Sequence, residues 1–113
     1  MDKGAIFEVE ITKNAQKRLH TIFERYLIKH FSEVRAYEVF DGILETVKQL
    51  KTFPKRGQFE GISDKDVRYI IHSESRMFQL KILYIVNEDN REVVVLDFFP
   101  TNMNPDLLQK LKI

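Results

Sequence analysis

The chain has 113 residues, of which 43% are hydrophobic and 31% are charged, and its formal net charge is +1. This length is typical of a single domain, so we expect one domain over residues 1–113. The absence of cysteine excludes disulfides and thiolate metal sites. No apolar run approaches the ~20 residues of a membrane helix, and no signal-like stretch follows the N-terminus. We therefore expect a soluble, cytoplasmic protein.

Charge is unevenly distributed along the chain. Residues 48–81 contain eight Lys or Arg against four acids, whereas residues 31–47 contain one Arg against four acids. One interpretation of the first segment is a basic surface that binds a nucleic acid or an acidic peptide. The other is a solvated surface of mixed charge, which is the more common case.

The N-terminal half predicts a strand followed by two helices. Residues 7–11 alternate apolar and charged side chains, the pattern of a half-buried strand. Thr12 and Ser32 are typical N-cap residues, and each precedes apolar residues at three- and four-residue spacing. The second helix is expected to end at Phe53-Pro54, because the residue before a proline disfavours helical geometry. The short gap between the helices predicts a hairpin.

The C-terminal half predicts a surface loop and then three strands. The loop covers residues 55–66, and the strands cover residues 67–72, 77–86 and 92–99, with a turn at residues 87–90. The last strand is almost continuously apolar, which predicts that both of its faces are covered.

The fold class expected from these elements is α+β. It comprises an N-terminal strand, a helix hairpin, a three-stranded antiparallel meander and a short C-terminal helix beginning at Asn104-Pro105. The helices run together instead of alternating with the strands, which argues against a doubly wound fold.

This order of elements resembles the RelE/ParE toxin superfamily, the plasmid stabilisation systems. Four local motifs are similar as well, and their order covers residues 5–108. They are Phe53-Pro54-Lys55-Arg56-Gly57 after the hairpin, Arg68 in Val67-Arg68-Tyr69-Ile70, Leu80-Lys81-Ile82-Leu83-Tyr84 in the next strand, and Thr101-Asn102-Met103-Asn104-Pro105.

The resemblance implies the toxin of a type II toxin–antitoxin module, which inhibits growth and is neutralised by a cognate antitoxin. Members either bind DNA gyrase or cut mRNA on the ribosome. Cleavage needs Lys or Arg to stabilise the phosphate and a Tyr, His or Glu to transfer a proton. The tail Arg of the family is Asn102 here, and its strand Arg is Lys81. The missing tail Arg and the small net charge slightly favour ParE-like target binding. A RelE-like ribosome-dependent mRNA endonuclease and a degenerate, non-toxic binding protein remain the alternatives.

The candidate catalytic residues for the nuclease alternative are Arg68, Lys81, His72 and Tyr84. We expect Arg68 and Lys81, on neighbouring strands, to leave the core face and to face one groove. The alternative is that Arg68 and Lys81 are a pair of exposed strand charges that keep the sheet soluble. His72 is either an acid–base group or an edge residue, and Tyr84 is either a proton donor or part of the core.

Residues expected to bind a partner or nucleic acid are Lys55, Arg56, Arg68, Arg76 and Lys81. Asp97 either points outward near the strand end or, as we favour, pairs with a Lys or Arg on the adjoining strand, because a buried carboxylate in an apolar strand needs a partner. The three histidines lack metal-ligand spacing and no Gly-rich phosphate loop occurs, so we expect neither a metal nor a cofactor.

Overall fold

Helices pack against one face of a five-stranded sheet in the computed structural model, which describes residues 6–61, 66–75 and 78–101. The expected C-terminal helix and the candidates Arg76 and Asn102 lie outside these residues.

The helical hairpin follows the first strand, as the sequence predicts. Strand β1 (Glu8–Ile11) leads into helix α1 (Lys13–Ile22), a π-helical turn (Phe23–Leu27), a short α-helical turn α2 (Ile28–His30), helix α3 (Glu33–Lys48) and a 3₁₀ turn (Gln49–Lys51). Both predicted caps are confirmed. The hydroxyl of Thr12 accepts a hydrogen bond from the Ala15 N–H, and that of Ser32 accepts one from the Arg35 N–H, each at 3.1 Å.

Four strands follow the hairpin: β2 (Gln58–Phe59), β3 (Val67–Ser75), β4 (Phe78–Asn87) and β5 (Glu92–Pro100). The sheet order is β1-β5-β4-β3-β2, so β3, β4 and β5 form the predicted antiparallel meander. Strand β1 adds to it by pairing parallel with β5, and β2 pairs antiparallel with β3. Strand β2 lies in the stretch that we expected to be a loop. The sequence does not reveal this strand because two residues are too few to show an alternation pattern.

The hydrophobic core lies between the helices and one face of the sheet, which we call the helix face. On this face β4 contributes Phe78, Leu80, Ile82 and Tyr84, all fully buried. The alternate residues of β4, which are Gln79, Lys81, Leu83 and Ile85, lie on the opposite face and are half-buried. We call this opposite face the Lys81 face.

Strand β5 is buried on one face only, contrary to the expectation of cover on both. Val93, Val95 and Phe98 are fully buried on the helix face, whereas Phe99 remains 38% exposed. The continuous apolar run arises because the second face of β5 is also rich in apolar residues, although these are only partly covered. Among the residues that the structure describes, no helix is long and apolar enough to cross a membrane.

Candidate functional site

The strand register separates Arg68 from Lys81. Arg68 pairs with Tyr84, whereas Lys81 pairs with Ile71. Directly paired residues share a face, and successive residues of a strand alternate between faces. Arg68 therefore lies on the helix face with Tyr84, and Lys81 lies on the other face. The expectation that these two cations leave the core face together and face one groove is wrong.

Arg68 holds the loop that precedes β2. Its Nη1 donates hydrogen bonds to the carbonyl oxygens of Gly57 at 2.9 Å and Lys55 at 3.2 Å. Its guanidinium carbon also lies 4.1 Å from the centroid of the Phe59 ring, within the range of a cation–π contact. These contacts occupy the charged group and fasten the loop to β3.

Tyr84 fastens the same loop from the core. Its fully buried side chain accepts a hydrogen bond from the Gly57 N–H at 2.9 Å. A Cβ at Gly57 would lie 2.5 Å from the Tyr84 hydroxyl and 2.6 Å from the Tyr69 carbonyl oxygen, so this position requires glycine. Burial raises the pKa of Tyr84 above its ordinary value, and this outweighs the lowering by the Gly57 hydrogen bond and the charges of Arg68 and Arg56.

His72 joins β3 to α3. Its Nδ1 lies 2.7 Å from the Thr46 hydroxyl, and its Nε2 lies 3.0 Å from Oε1 of Glu74. Glu74 in turn accepts a hydrogen bond of 2.6 Å from Arg35. The Thr46 hydroxyl also donates to the Gly42 carbonyl of its own helix at 3.1 Å. Both ring nitrogens are thus engaged, and the arrangement is suited to holding helix and sheet together.

Lys81 is the one catalytic candidate on the face away from the helices. Its Nζ donates to Oε1 of Glu60 at 3.0 Å and lies 4.4 Å from the Tyr69 ring centroid. The same Nζ lies 2.9 Å from Oε2 of Glu60, so both carboxylate oxygens lie within ion-pair distance of Lys81. Ile71 and Phe99 flank Lys81 across the sheet and are 42% and 38% exposed.

Lys55 and Arg56 lie in the loop that Arg68 and Tyr84 hold. Both are exposed; Nζ of Lys55 lies 2.8 Å from Oε1 of Glu88, and Arg56 donates to the side-chain oxygen of Gln49. They border a groove of about 610 Å³, here called the Phe53 groove, which is lined by Phe7, Thr52, Phe53, Pro54, Lys55, Arg56 and Glu88. Phe53 is 66% exposed. Its sequence signal, Phe-Pro, indicates a helix end and says nothing about exposure.

Asp97 pairs with Arg18, Nε to Oδ1 at 3.2 Å. Asp97 therefore has a cationic partner as expected, but the expected location on the adjoining strand is wrong, because the partner comes from α1. The Arg18 guanidinium also lies 5.3 Å from the Phe99 ring centroid.

Within the described part of the chain, no group of three or more His, Asp or Glu residues is placed to hold a metal ion.

Comparison with known proteins identifies the family. A family model described as "ParE toxin of type II toxin-antitoxin system, parDE" matches residues 9–105. The chromosomal ParDE toxin–antitoxin system from P. aeruginosa contains a similar chain, with a TM-score of 0.66 and 19% identity over 87% of this chain and 99% of that one. The toxin–antitoxin complex RelBE2 from Mycobacterium tuberculosis gives 0.61 and 18%, over 89% and 98%. At these identities the two structures show the fold alone.

No curated protein matches the sequence. The family model nevertheless covers most of the chain, from β1 to beyond β5, and the α+β architecture agrees with it. This chain belongs to the ParE toxin family of type II toxin–antitoxin systems.

Proposed function

We propose that this toxin inhibits growth by binding a target protein in the cytoplasm, with DNA gyrase as the first target to test, and that a cognate antitoxin neutralises it. The observation that supports binding over RNA cleavage is the separation of the candidate catalytic residues. Arg68, His72 and Tyr84 lie on the helix face, whereas Lys81 lies on the other.

Cleavage by a 2′-hydroxyl needs a cation and a proton-transfer group within hydrogen-bond reach of the same phosphate. Tyr84 is fully buried, and its hydroxyl is bound to Gly57. His72 uses both ring nitrogens within the protein, and Arg68 is bound to two loop carbonyls. Lys81 has no partner among these three, so the four predicted candidates do not assemble such a site.

A ribosome-dependent nuclease is the second candidate, because Lys81 lies beside the phenol Tyr69 on one face. A cation and a hydroxyl in that position could contact one phosphate, provided that Glu60 released Lys81. The third candidate is a family member that binds a partner without toxicity.

The expected partner is an acidic antitoxin. The solved relatives from P. aeruginosa and M. tuberculosis are a toxin–antitoxin system and a toxin–antitoxin complex. In this chain Lys55 and Arg56 are exposed on the loop, and Lys81 is half-buried on its own face. We expect the antitoxin to contact the exposed Lys55 and Arg56, whereas Arg68 and Lys81 lie on opposite faces of the sheet and do not form one surface with them. Arg76, the remaining candidate for this contact, lies outside the described residues.

The test is inducible expression of the chain, with and without the small protein encoded beside it. We expect the chain to arrest growth, and we expect the neighbouring protein to restore growth and to co-purify with the chain. The purified chain should inhibit DNA supercoiling by gyrase, and primer extension should detect no mRNA cleavage. Robust ribosome-dependent cleavage would replace this proposal with the nuclease. Co-purification without growth arrest would identify a non-toxic binder. If expression causes no growth arrest and no neighbour-encoded protein co-purifies, the proposal that the chain is a toxin with an antitoxin is wrong.

A further inference from the structure

The Phe53 groove has an apolar lining that the fold leaves uncovered in the described residues. Phe53 is 66% exposed, and Phe7 and Pro54 beside it are half-buried. Concave apolar surface rimmed by polar groups is typical of protein–protein contact sites, whereas single exposed apolar residues are ordinary. The groove adds a concave shape to its exposed apolar side chain, so we prefer it as a contact site over the exposed Val34 and Tyr37 of α3 (72% and 54%).

The loop that forms the groove is held in place before any partner arrives. Backbone hydrogen bonds join the Phe53 N–H to the Gln49 carbonyl at 3.1 Å and the Phe7 N–H to the Lys51 carbonyl at 2.9 Å. Arg68 and Tyr84 bind the other end of the loop at Gly57. A preformed surface loses little conformational freedom when it binds, which favours affinity.

The charge around the groove favours an acidic occupant. Lys55 and Arg56 form its rim, and Lys51 is exposed on the adjacent 3₁₀ turn. Glu88 is the acid in the lining, and it binds Lys55 at 2.8 Å. Arg56 is bound to the neutral amide of Gln49, so that contact leaves its charge uncompensated. Two cations and one acid line the groove, and this excess of positive charge complements a segment that carries carboxylates.

We infer that the Phe53 groove is the docking site for an antitoxin segment in which an apolar anchor side chain is flanked by carboxylates. The anchor fills the space beside Phe7, Phe53 and Pro54, and the carboxylates meet Lys55 and Arg56. This inference rests on the proposed function and assigns one part of the partner surface. An aromatic and proline lining fits a side chain better than the phosphates of a nucleic acid, which would have to lie over apolar surface.

The experiment measures the affinity of the full chain for the protein encoded beside it, by isothermal titration calorimetry. We expect Phe53→Ser to weaken binding about tenfold or more, as central anchors do. Arg56→Gln should weaken it less, and more at low salt than at high salt. Val34→Ser is the matched control, because it removes a side chain of similar exposure from α3, and it should bind as the unaltered chain does. Thermal melts verify that each variant is folded.

A photo-crosslinker placed at Phe53 in the complex gives a second readout that tolerates an imperfectly folded variant. We expect it to label the antitoxin. If Phe53→Ser binds as tightly as Val34→Ser, or if the crosslinker labels co-purifying RNA or the chain itself, the inference is wrong while the proposed function stands. If the unaltered chain binds no neighbour-encoded protein, the proposed function and this inference fail together.

Discussion

The Tyr84 hydroxyl and the Gly57 N–H form a hydrogen bond of 2.9 Å that joins the buried strand β4 to the loop carrying Lys55 and Arg56. This contact explains a motif that the sequence shows without a reason, the glycine that follows Phe53-Pro54. Tyr84 is the last residue of the Leu80–Tyr84 motif, and Gly57 is the last residue of the Phe53–Gly57 motif. The two motifs therefore meet in one contact.

Gly57→Ala should destabilise the fold by about 1–3 kcal/mol, because the new Cβ overpacks the loop. It would lie 2.5 Å from the Tyr84 hydroxyl and 2.6 Å from a backbone oxygen of Tyr69. Gly42→Ala is the matched control. Its Cβ would meet Glu74 and His72 at ordinary distances of 3.5 and 3.6 Å, and helix propensity should stabilise it by about 0.5–1 kcal/mol. Urea denaturation measures the unfolding free energy of both variants. Equal changes in the two would contradict the conclusion that position 57 requires glycine.

Tyr84→Phe should destabilise the fold at neutral pH by about 1–3 kcal/mol, because it leaves the buried Gly57 N–H unsatisfied. Growth arrest per folded molecule should be unchanged if Tyr84 is structural. Loss of arrest in a variant that remains folded at the assay temperature would instead identify a functional hydroxyl.

Tyr84→Phe should also reduce the loss of folding stability that the unaltered chain shows at alkaline pH. Burial raises the pKa of Tyr84 above 10.0 in the folded chain. The unfolded chain then releases the phenolic proton first, so the stabilisation due to the neutral folded form is complete below pH 10 and is lost as the pH rises through the folded pKa. Comparison of unfolding free energies at pH 9 and pH 11 should show a smaller decrease for Tyr84→Phe. Tyr26→Phe is a parallel case, since burial raises the pKa of Tyr26 as well.

Substitution of Arg68 or of Lys81 should lower the free energy of unfolding, since both side chains are bound within the fold. Arg68→Ala loses hydrogen bonds to two loop carbonyls, and we expect a loss of about 1–2 kcal/mol. Lys81→Met leaves Glu60 half-buried without its cation, with a cost of similar size, about 1–2 kcal/mol. Adding Glu60→Gln to Lys81→Met should recover much of that cost. A double-mutant cycle without coupling would show that the pair is only a solvated contact.

His72→Ala should destabilise by about 1–3 kcal/mol, because Thr46 and Glu74 lose their shared partner. We expect growth arrest at equal amounts of folded protein to be unaffected. His20→Ala, at an exposed position of α1, should change stability by less than about 0.5 kcal/mol. An acid–base role for His72 would show the reverse pattern, with arrest abolished in a variant as stable as the parent.

Any RNA cleavage by the unaltered chain should be weak. The family's tail Arg is replaced by Asn102, and one lost charge-assisted phosphate contact costs about two orders of magnitude in rate. Asn102→Arg should raise ribosome-dependent cleavage, measured by primer extension, if a nuclease site is otherwise assembled. Strong cleavage before the substitution would reverse our preference for target binding.

Local features of this protein could be predicted from its sequence, because neighbouring residues determine them. Thr12 and Ser32 cap their helices through backbone groups three residues away. The alternation from Phe78 to Tyr84 predicts the buried face of β4, because side chains in a strand have a period of two. The order of these elements, with the motifs between them, was enough to indicate the family.

The candidate site depended on relationships that only the tertiary structure decides. A register shift of one residue exchanges the two faces of a strand, so the faces of Arg68 and Lys81 follow from how β3 packs against β4 and the helices, and no local pattern encodes this. The Arg18–Asp97 pair spans 79 positions, and the parallel pairing of β1 with β5 joins the two ends of the described chain. The exposure of Phe53 arises in the same way, since it depends on which distant segments leave the groove uncovered.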